Sequence, residues 1–103
     1  MSAILRIELR YAMVPIPGNY PSEDYFIDPE REQSLDDLLR RFDFVVVSLR
    51  DVGNGRRIRE ARGPYRGADL LGRELDILLG AWENEGYLAG YEIGDVYTQS
   101  WVR

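Results

Sequence analysis

The spacing of apolar residues changes between a period of two and a helical period along this chain, and the order of these changes restricts its fold. Apolar and polar residues alternate over 5–13, which predicts a strand with one buried face. Helical spacing follows over 35–42, and the β-branched run 44–49 is typical of a buried strand. A second helical pattern over 66–84 and another strand over 87–93 complete the order.

A hairpin supplies the remaining strand. Gly53, Asn54 and Gly55 predict a tight turn, because Asn-Gly supplies the positive φ angles that a two-residue loop needs. The return strand runs from Ile58 to about residue 62. The resulting order is β-α-β-β-α-β, which resembles the ferredoxin-like sandwich, an α+β fold with two helices on one face of an antiparallel sheet. A turn at 94–95 and a further strand over 96–102 predict an extra C-terminal edge strand.

The second helix carries the clearest core stripe. Leu71, Leu75, Leu78 and Trp82 fall on one helical face and are expected to pack on the sheet face that presents the apolar residues of the first strand. With 103 residues and one such core, we expect a single domain over 1–103.

Residues 15–33 show no apolar period and are predicted to form a long loop, with the first helix capped by Ser34. The segment contains five acids and one base, and it includes several aromatic residues. Loops of this length are usually functional or disordered. Aromatic side chains among carboxylates suit contact with a basic protein surface. The candidate partner-binding residues are Tyr20, Glu23, Asp24, Tyr25 and Phe26.

Charge is distributed unevenly. The net charge is −5, all thirteen bases are Arg, and residues 47–66 hold six Arg and only two acids. We therefore expect a solvated, Arg-rich hairpin tip over 50–59 that projects from an acidic body. Its candidate contacts for phosphate or an acidic partner are Arg56, Arg57, Arg59 and Arg62. The overall acidity makes nucleic acid the less favoured partner.

The chain contains no Cys, His or Lys. These absences exclude disulfides, thiolate chemistry, imidazole catalysis and Schiff-base lysines. The acid pairs lack the spacing of a calcium loop, and the hairpin glycines lack the Lys and helix of a phosphate loop. We expect no catalytic residue, no cofactor and no metal. A small enzyme that uses Tyr, Arg and carboxylates in a cleft stays open as an alternative.

These features favour a non-catalytic, acidic protein-binding module. In size, acidity, lack of Cys and His, and lack of a catalytic motif, the chain is similar to small phage or mobile-element inhibitors of host nucleases, including anti-CRISPR proteins. That resemblance implies a nucleic-acid-binding complex as the partner. Tyr97 and Trp101 on the C-terminal strand are candidates for a homodimer edge. No signal peptide and no membrane-spanning run is recognisable, so we expect a cytoplasmic protein without membrane contact.

Overall fold

The computed structural model describes residues 2–15 and 23–95. Six strands and two helices follow one another in this part of the chain. They are β1 (Ser2–Tyr11), β2 (Val14–Pro15), β3 (Glu23–Asp24), α1 (Pro29–Arg41), β4 (Val45–Gly53), β5 (Arg56–Pro64), α2 (Ala68–Asn84) and β6 (Leu88–Asp95). Neither helix combines the length and the hydropathy needed to cross a bilayer.

Four strands form one antiparallel sheet in the order β4-β5-β1-β6, and β2 pairs with β3 in a separate two-stranded ladder. Along the chain α1 lies between β1 and β4, and α2 lies between β5 and β6; in the sheet, one other strand separates the members of each pair. The expected α+β fold with two helices and a four-stranded antiparallel sheet is therefore confirmed, and it is consistent with the ferredoxin-like class. The predicted extra strand over 96–102 lies outside the described residues.

Both helices pack on the same side of the sheet, which we call the helix side. Alternate residues of β1 face this side and join one buried cluster with residues of α1 and α2. In α2 the buried positions are Leu71, Leu75, Leu79 and Trp82, while Leu78 is partly buried against the same cluster. The prediction that this stripe packs on the sheet is confirmed.

Helix α1 begins six residues earlier than the sequence pattern predicted. Its N-cap is Asp28, whose Oδ1 accepts a hydrogen bond from the backbone nitrogen of Glu30 at 3.0 Å. Pro29 occupies the first turn, where its fixed φ suits a helix and its missing N–H costs nothing. The predicted cap at Ser34 is wrong. The prediction of a loop over 15–33 is wrong for 29–33, which are helical, and for Pro15 and 23–24, which belong to the β2-β3 ladder.

The hairpin turn is confirmed, because Asn54 and Gly55 have φ angles of 58° and 72°. The expectation that its tip projects from the body is wrong. Arg56 pairs with Arg10 near the end of β1, and the backbone nitrogen of Tyr11 donates to the carbonyl oxygen of Gly55 at 2.8 Å. The predicted turn at 94–95 is also wrong, because both residues continue β6 beside β1.

Candidate binding surface

The segment from Asp24 to Asp28 alternates between inward and outward side chains. Tyr25 and Ile27 are partly buried against the core, whereas Phe26 between them is 68% exposed. The segment is short, because β3 precedes it and the cap of α1 follows it. Since Tyr25 and Ile27 both point to the core, the side chain of Phe26 between them points outward.

Tyr25 anchors the segment to the end of the sheet. Its ring stacks on Tyr11 with 5.3 Å between centroids and 15° between planes. Its hydroxyl donates to Oδ2 of Asp51 at 2.7 Å, and Oδ1 of Asp51 accepts from the backbone nitrogen of Gly53 at 2.9 Å. The Gly53 bond, followed by the Tyr25 bond, lowers the pKa of Asp51, and the same carboxylate raises the pKa of Tyr25. The segment is thus attached to the hairpin through a charged acceptor.

Asp28 anchors the other end of the segment. Its backbone nitrogen donates to the hydroxyl of Tyr87 at 2.9 Å, and its carboxylate lies 3.0 Å from Nη1 of Arg31. The Arg31 guanidinium also lies 4.7 Å from the centre of the Tyr87 ring and 2.7 Å from a carboxylate oxygen of Glu85. Exposed ion pairs alone contribute little to stability. These pairs lie beside the hydrogen bond from Asp28 to Tyr87, which fixes the backbone before α1.

Beneath this segment, Glu32 is the centre of a buried polar cluster. Its Oε2 accepts from the hydroxyls of Tyr11 at 3.0 Å and Tyr87 at 2.9 Å. Its Oε1 accepts from Nη2 of Arg59 at 3.1 Å, and Nε of Arg59 lies 3.2 Å from Oδ1 of Asp36. Burial raises the pKa values of Tyr11 and Tyr87, so both stay protonated as donors. Because Glu32 accepts three hydrogen bonds within the cluster and Arg59 is shielded from solvent, the cluster favours a structural role.

Several exposed apolar and acidic residues belong to the chain segments that meet at Asp24 and Tyr25, next to Phe26 in the sequence. Val14 pairs with Asp24, Asp51 bonds to Tyr25, and these contacts bring three chain segments to the same end of the sheet. We define the hairpin-end surface by the exposed apolar side chains at this end together with the two neighbouring carboxylates. Its members are Met13, Val14, Asp24, Phe26, Asp51 and Val52. An exposed apolar group rimmed by charge is typical of an interaction site.

The candidate arginines do not share one surface. Arg57 and Arg59 pair with Leu9 and Ile7 of β1 and therefore face the helix side, whereas Arg56 and Arg62 face the opposite side. Arg59 is only 3% exposed, so the expectation that it is solvated is wrong. It is buried because Glu32 and Asp36 of α1 compensate its charge.

The two outward arginines also differ from each other. Nε of Arg56 donates to Oε2 of Glu8 at 2.9 Å, which partly neutralises it. Arg62 is exposed and has no ion pair within the described part of the chain. Of the four candidate arginines, only Arg62 is both exposed and without an ion pair in the described part of the chain. The predicted basic patch is therefore reduced to this one side chain.

Of the other predicted contact residues, Asp24 is exposed and belongs to the hairpin-end surface. Glu23 pairs with Pro15 through its backbone. Tyr20, Tyr97 and Trp101 lie outside the described residues. The sequence interpretation missed Asp51 and Glu32, which hold the surface in place. Glu32 contacts Tyr11 and Tyr87 across 21 and 55 residues of sequence, and no local pattern signals such contacts.

A groove of about 550 Å³ beside β6 contains the residue types of the enzyme alternative. Arg10, Asp76, Glu83 and Tyr91 are among its lining residues. The Tyr91 hydroxyl donates to Oδ1 of Asp76 at 2.6 Å, and this bond raises the pKa of Tyr91 to about 12. A tyrosine held protonated in this way is a poor base or nucleophile at neutral pH. Within residues 2–15 and 23–95, no three acidic side chains are placed to hold a metal ion together.

Comparison of the chain with protein-family models, curated proteins and solved structures found no match.

The buried tyrosines make stability sensitive to high pH. Tyrosines of the unfolded chain lose their protons near their ordinary pKa of 10.0, whereas Tyr11 and Tyr87 in the fold retain theirs to higher pH. Their stabilising contribution is complete below that value and is lost as the pH rises above it. Urea unfolding between about pH 8 and about pH 11 should show a falling midpoint, and Tyr11→Phe should reduce the slope. A wild-type urea midpoint that does not change over this pH range would contradict the burial of the Tyr11 and Tyr87 hydroxyls beside Glu32.

Proposed function

We propose that this chain is a non-catalytic, acidic protein-binding module of the ferredoxin-like class, with the extra C-terminal edge strand that the sequence predicts. Its hairpin-end surface binds a basic region of another protein. The observation that carries the proposal is the outward position of Phe26, 68% exposed between two anchored residues.

Exposure of Phe26 leaves a large apolar side chain in water. Burying a phenylalanine side chain is favourable by about 1.5–3 kcal/mol. Most of this free energy is not released when the chain folds, because the ring stays exposed, so it is available to a partner that covers the ring. The backbone on either side is already fixed by the Tyr25 and Asp28 contacts, so binding orders few additional groups. Rigid, exposed aromatic residues of this kind are frequent among binding hot spots.

Charge indicates the kind of partner. Residues 23–30 carry four acids and no base, within a chain of net charge −5. Asp24 and Asp51 lie on the hairpin-end surface, and hydrogen bonding lowers the pKa of Asp51, which holds it ionised even in moderately acidic solution. A basic protein would be attracted to this end of the molecule, and its association would slow as salt is added.

The compositional likeness to small phage inhibitors narrows the proposed partner to a nucleic-acid-binding complex in the cytoplasm. Such complexes carry basic channels for phosphate groups. Carboxylates on the hairpin-end surface would occupy a channel of this kind in place of phosphates, and Phe26 would add apolar contact.

Comparative capture with matched baits tests the proposal. Wild-type protein, Phe26→Ala and Ile77→Ala are immobilised and exposed to extract from the cells in which the chain occurs. Ile77 is also 68% exposed, and it lies on α2, which contributes no residue to the hairpin-end surface, so its replacement removes similar apolar area outside that surface. We expect a basic protein on wild type and Ile77→Ala that is strongly depleted on Phe26→Ala. Equal recovery on all three baits would place binding elsewhere.

Charge reversal gives a second, independent prediction. Asp24→Arg should slow association of the captured protein severalfold, because it removes steering charge from an exposed position. Thermal stability should fall only slightly, by the loss of the exposed hydrogen bond that Oδ1 of Asp24 accepts from the backbone nitrogen of Tyr25 at 2.7 Å. Glu83→Arg, an equal charge change at an exposed position of α2, is the control and should have a smaller effect. Surface binding kinetics measure both. An equal change in the two association rates would mean that net charge alone attracts the partner.

A further inference from the structure

The side of the four-stranded sheet that faces away from the helices carries five of the seven arginines in the described strands. We call this side the open face. The pairing of the four strands places alternate residues of each strand on it. Its charged residues are Arg6, Arg10, Arg50, Arg56, Arg62, Glu8, Glu60 and Glu92. The open face therefore has a net charge of +2, and because the whole chain carries −5, the other residues carry −7.

The arginines of the open face are more accessible than its acids. Glu8 is 8% exposed and accepts a hydrogen bond from Arg56, and of the three acids only Glu92 is exposed. The arginines without an ion pair within residues 2–15 and 23–95 are Arg6, Arg10, Arg50 and Arg62. All of these except the half-buried Arg6 are exposed. The charge that this face presents to solvent is therefore mainly positive.

Two glycines of β6 keep one side of the open face clear. Gly90 lies opposite Arg10, and Gly94 lies opposite Arg6. A Cβ atom at Gly90 would lie 2.5 Å from Nη2 of Arg10, so the glycine allows this guanidinium to extend over β6. A Cβ atom at Gly94 would meet no other atom within 4 Å. A large, flat ligand can therefore approach Arg6 and Arg10 closely.

The residue types of the open face indicate which anion it fits. The guanidinium group binds both carboxylates and phosphates through its planar fork. Protein interfaces depend on aromatic or large apolar anchors, and single-stranded nucleic acids stack their bases on aromatic rings. No residue of the described strands that faces this side is aromatic, and Ile58 near its centre is 3% exposed. The backbone of a duplex needs no such anchor, because its phosphates lie outside its stacked bases.

From these observations we propose that the open face binds the phosphate backbone of a nucleic-acid duplex without reading its sequence. Arg56 and Arg62 are separated by about 20 Å of strand, a length over which a duplex carries about ten phosphates. Most of the other acids lie on the two helices, on the far side of the sheet. A duplex that approaches the open face therefore meets the arginines first. The open face and the hairpin-end surface share no residue, so this proposal does not rest on the proposed function.

Fluorescence anisotropy of a short labelled DNA duplex, titrated with the full chain between about 0.02 and 0.2 M salt, tests the proposal. We expect binding at the lowest salt, and log affinity should fall against log salt with a slope of about −3, because each phosphate contact contributes about −0.9. A second duplex of unrelated sequence should bind equally. A wild-type chain that binds neither duplex at the lowest salt would overturn the proposal.

Arg10→Gln/Arg62→Gln should lower the affinity about tenfold or more at the lowest salt and reduce the salt slope by about two. Arg41→Gln/Arg73→Gln is the matched control, since it changes the net charge equally at exposed positions of α1 and α2. It should keep the wild-type slope and most of the affinity. Thermal unfolding checks that both variants fold. Equal losses in the two double variants would mean that net charge alone governs binding, which would overturn the assigned face.

Competition with other polyanions tests the assignment to a duplex. Unlabelled duplex should displace the labelled duplex more effectively than either the single strand or polyglutamate at the same concentration of charge. The single strand has no aromatic residues of the open face to stack on, and polyglutamate carries its charges less densely than a duplex. A single strand or polyglutamate that competes as well as the duplex would overturn the assignment.

Discussion

Trp82→Ala is expected to lower the free energy of unfolding by about 3–5 kcal/mol, the range for deletion of a large aromatic side chain from a core. Trp82 is 5% exposed and packs edge-to-face on Tyr87, with 5.6 Å between ring centroids. Its loss removes the contact between the end of α2 and the cluster that holds Glu32. Urea unfolding followed by circular dichroism measures the change.

The control for this variant is Ile77→Ala in the same helix, at a position where the side chain is exposed. It should cost less than about 1 kcal/mol, because little apolar area is lost from the core. If Trp82→Ala were as mild as Ile77→Ala, the orientation of α2 on the sheet would be wrong.

Arg59→Met is expected to destabilise the fold by about 3–5 kcal/mol, because it leaves the largely buried Glu32 carboxylate and the partly exposed Asp36 carboxylate without their cation. Arg62→Met, three residues further along β5, should change stability by about 0.5 kcal/mol or less, since Arg62 is exposed and unpaired within the described residues. Unfolding free energies in urea for the two variants give the comparison.

A double-mutant cycle separates the ion pair from general packing. Glu32→Gln in the Arg59→Met background should cost clearly less than Glu32→Gln alone, because the charge that it would leave unpaired is already absent. Equal effects of Arg59→Met and Arg62→Met, or strict additivity in the cycle, would contradict the buried Arg59 cluster.

The sequence predicted the order of the four sheet strands and two helices because most of them have a clear apolar pattern, and the turn at Asn54 and Gly55 indicated β5. The odd-numbered residues of β1 and the stripe of α2 are buried as the periods indicate. The start of α1 was missed because two capping patterns compete, and Pro29 after Asp28 gives the better helix start. Ser34 resembles a cap but lies within the helix.

The orientation of the arginines could not be predicted from the sequence. Charged residues on both faces of β5 hide its alternation, so only pairing with β1 shows that Arg59 lies opposite Ile7 on the helix side. Its burial depends on Glu32 and Asp36, which are distant in sequence. The sequence indicated the aromatic loop as a candidate site, but it did not distinguish Tyr25, the anchor, from Phe26, the exposed residue. That difference also depends on a contact between residues distant in sequence, the hydrogen bond from Tyr25 to Asp51.

Binding kinetics of the captured partner with wild type, Phe26→Ala and Ile77→Ala test the central claim most directly. If Phe26 is the hot spot of the hairpin-end surface, its replacement should raise the dissociation rate about tenfold or more, with little change in association. Ile77→Ala should match wild type, and the association rate of wild type should fall between about 0.05 and 0.5 M salt. A Phe26→Ala dissociation rate equal to that of wild type would contradict the proposed binding surface.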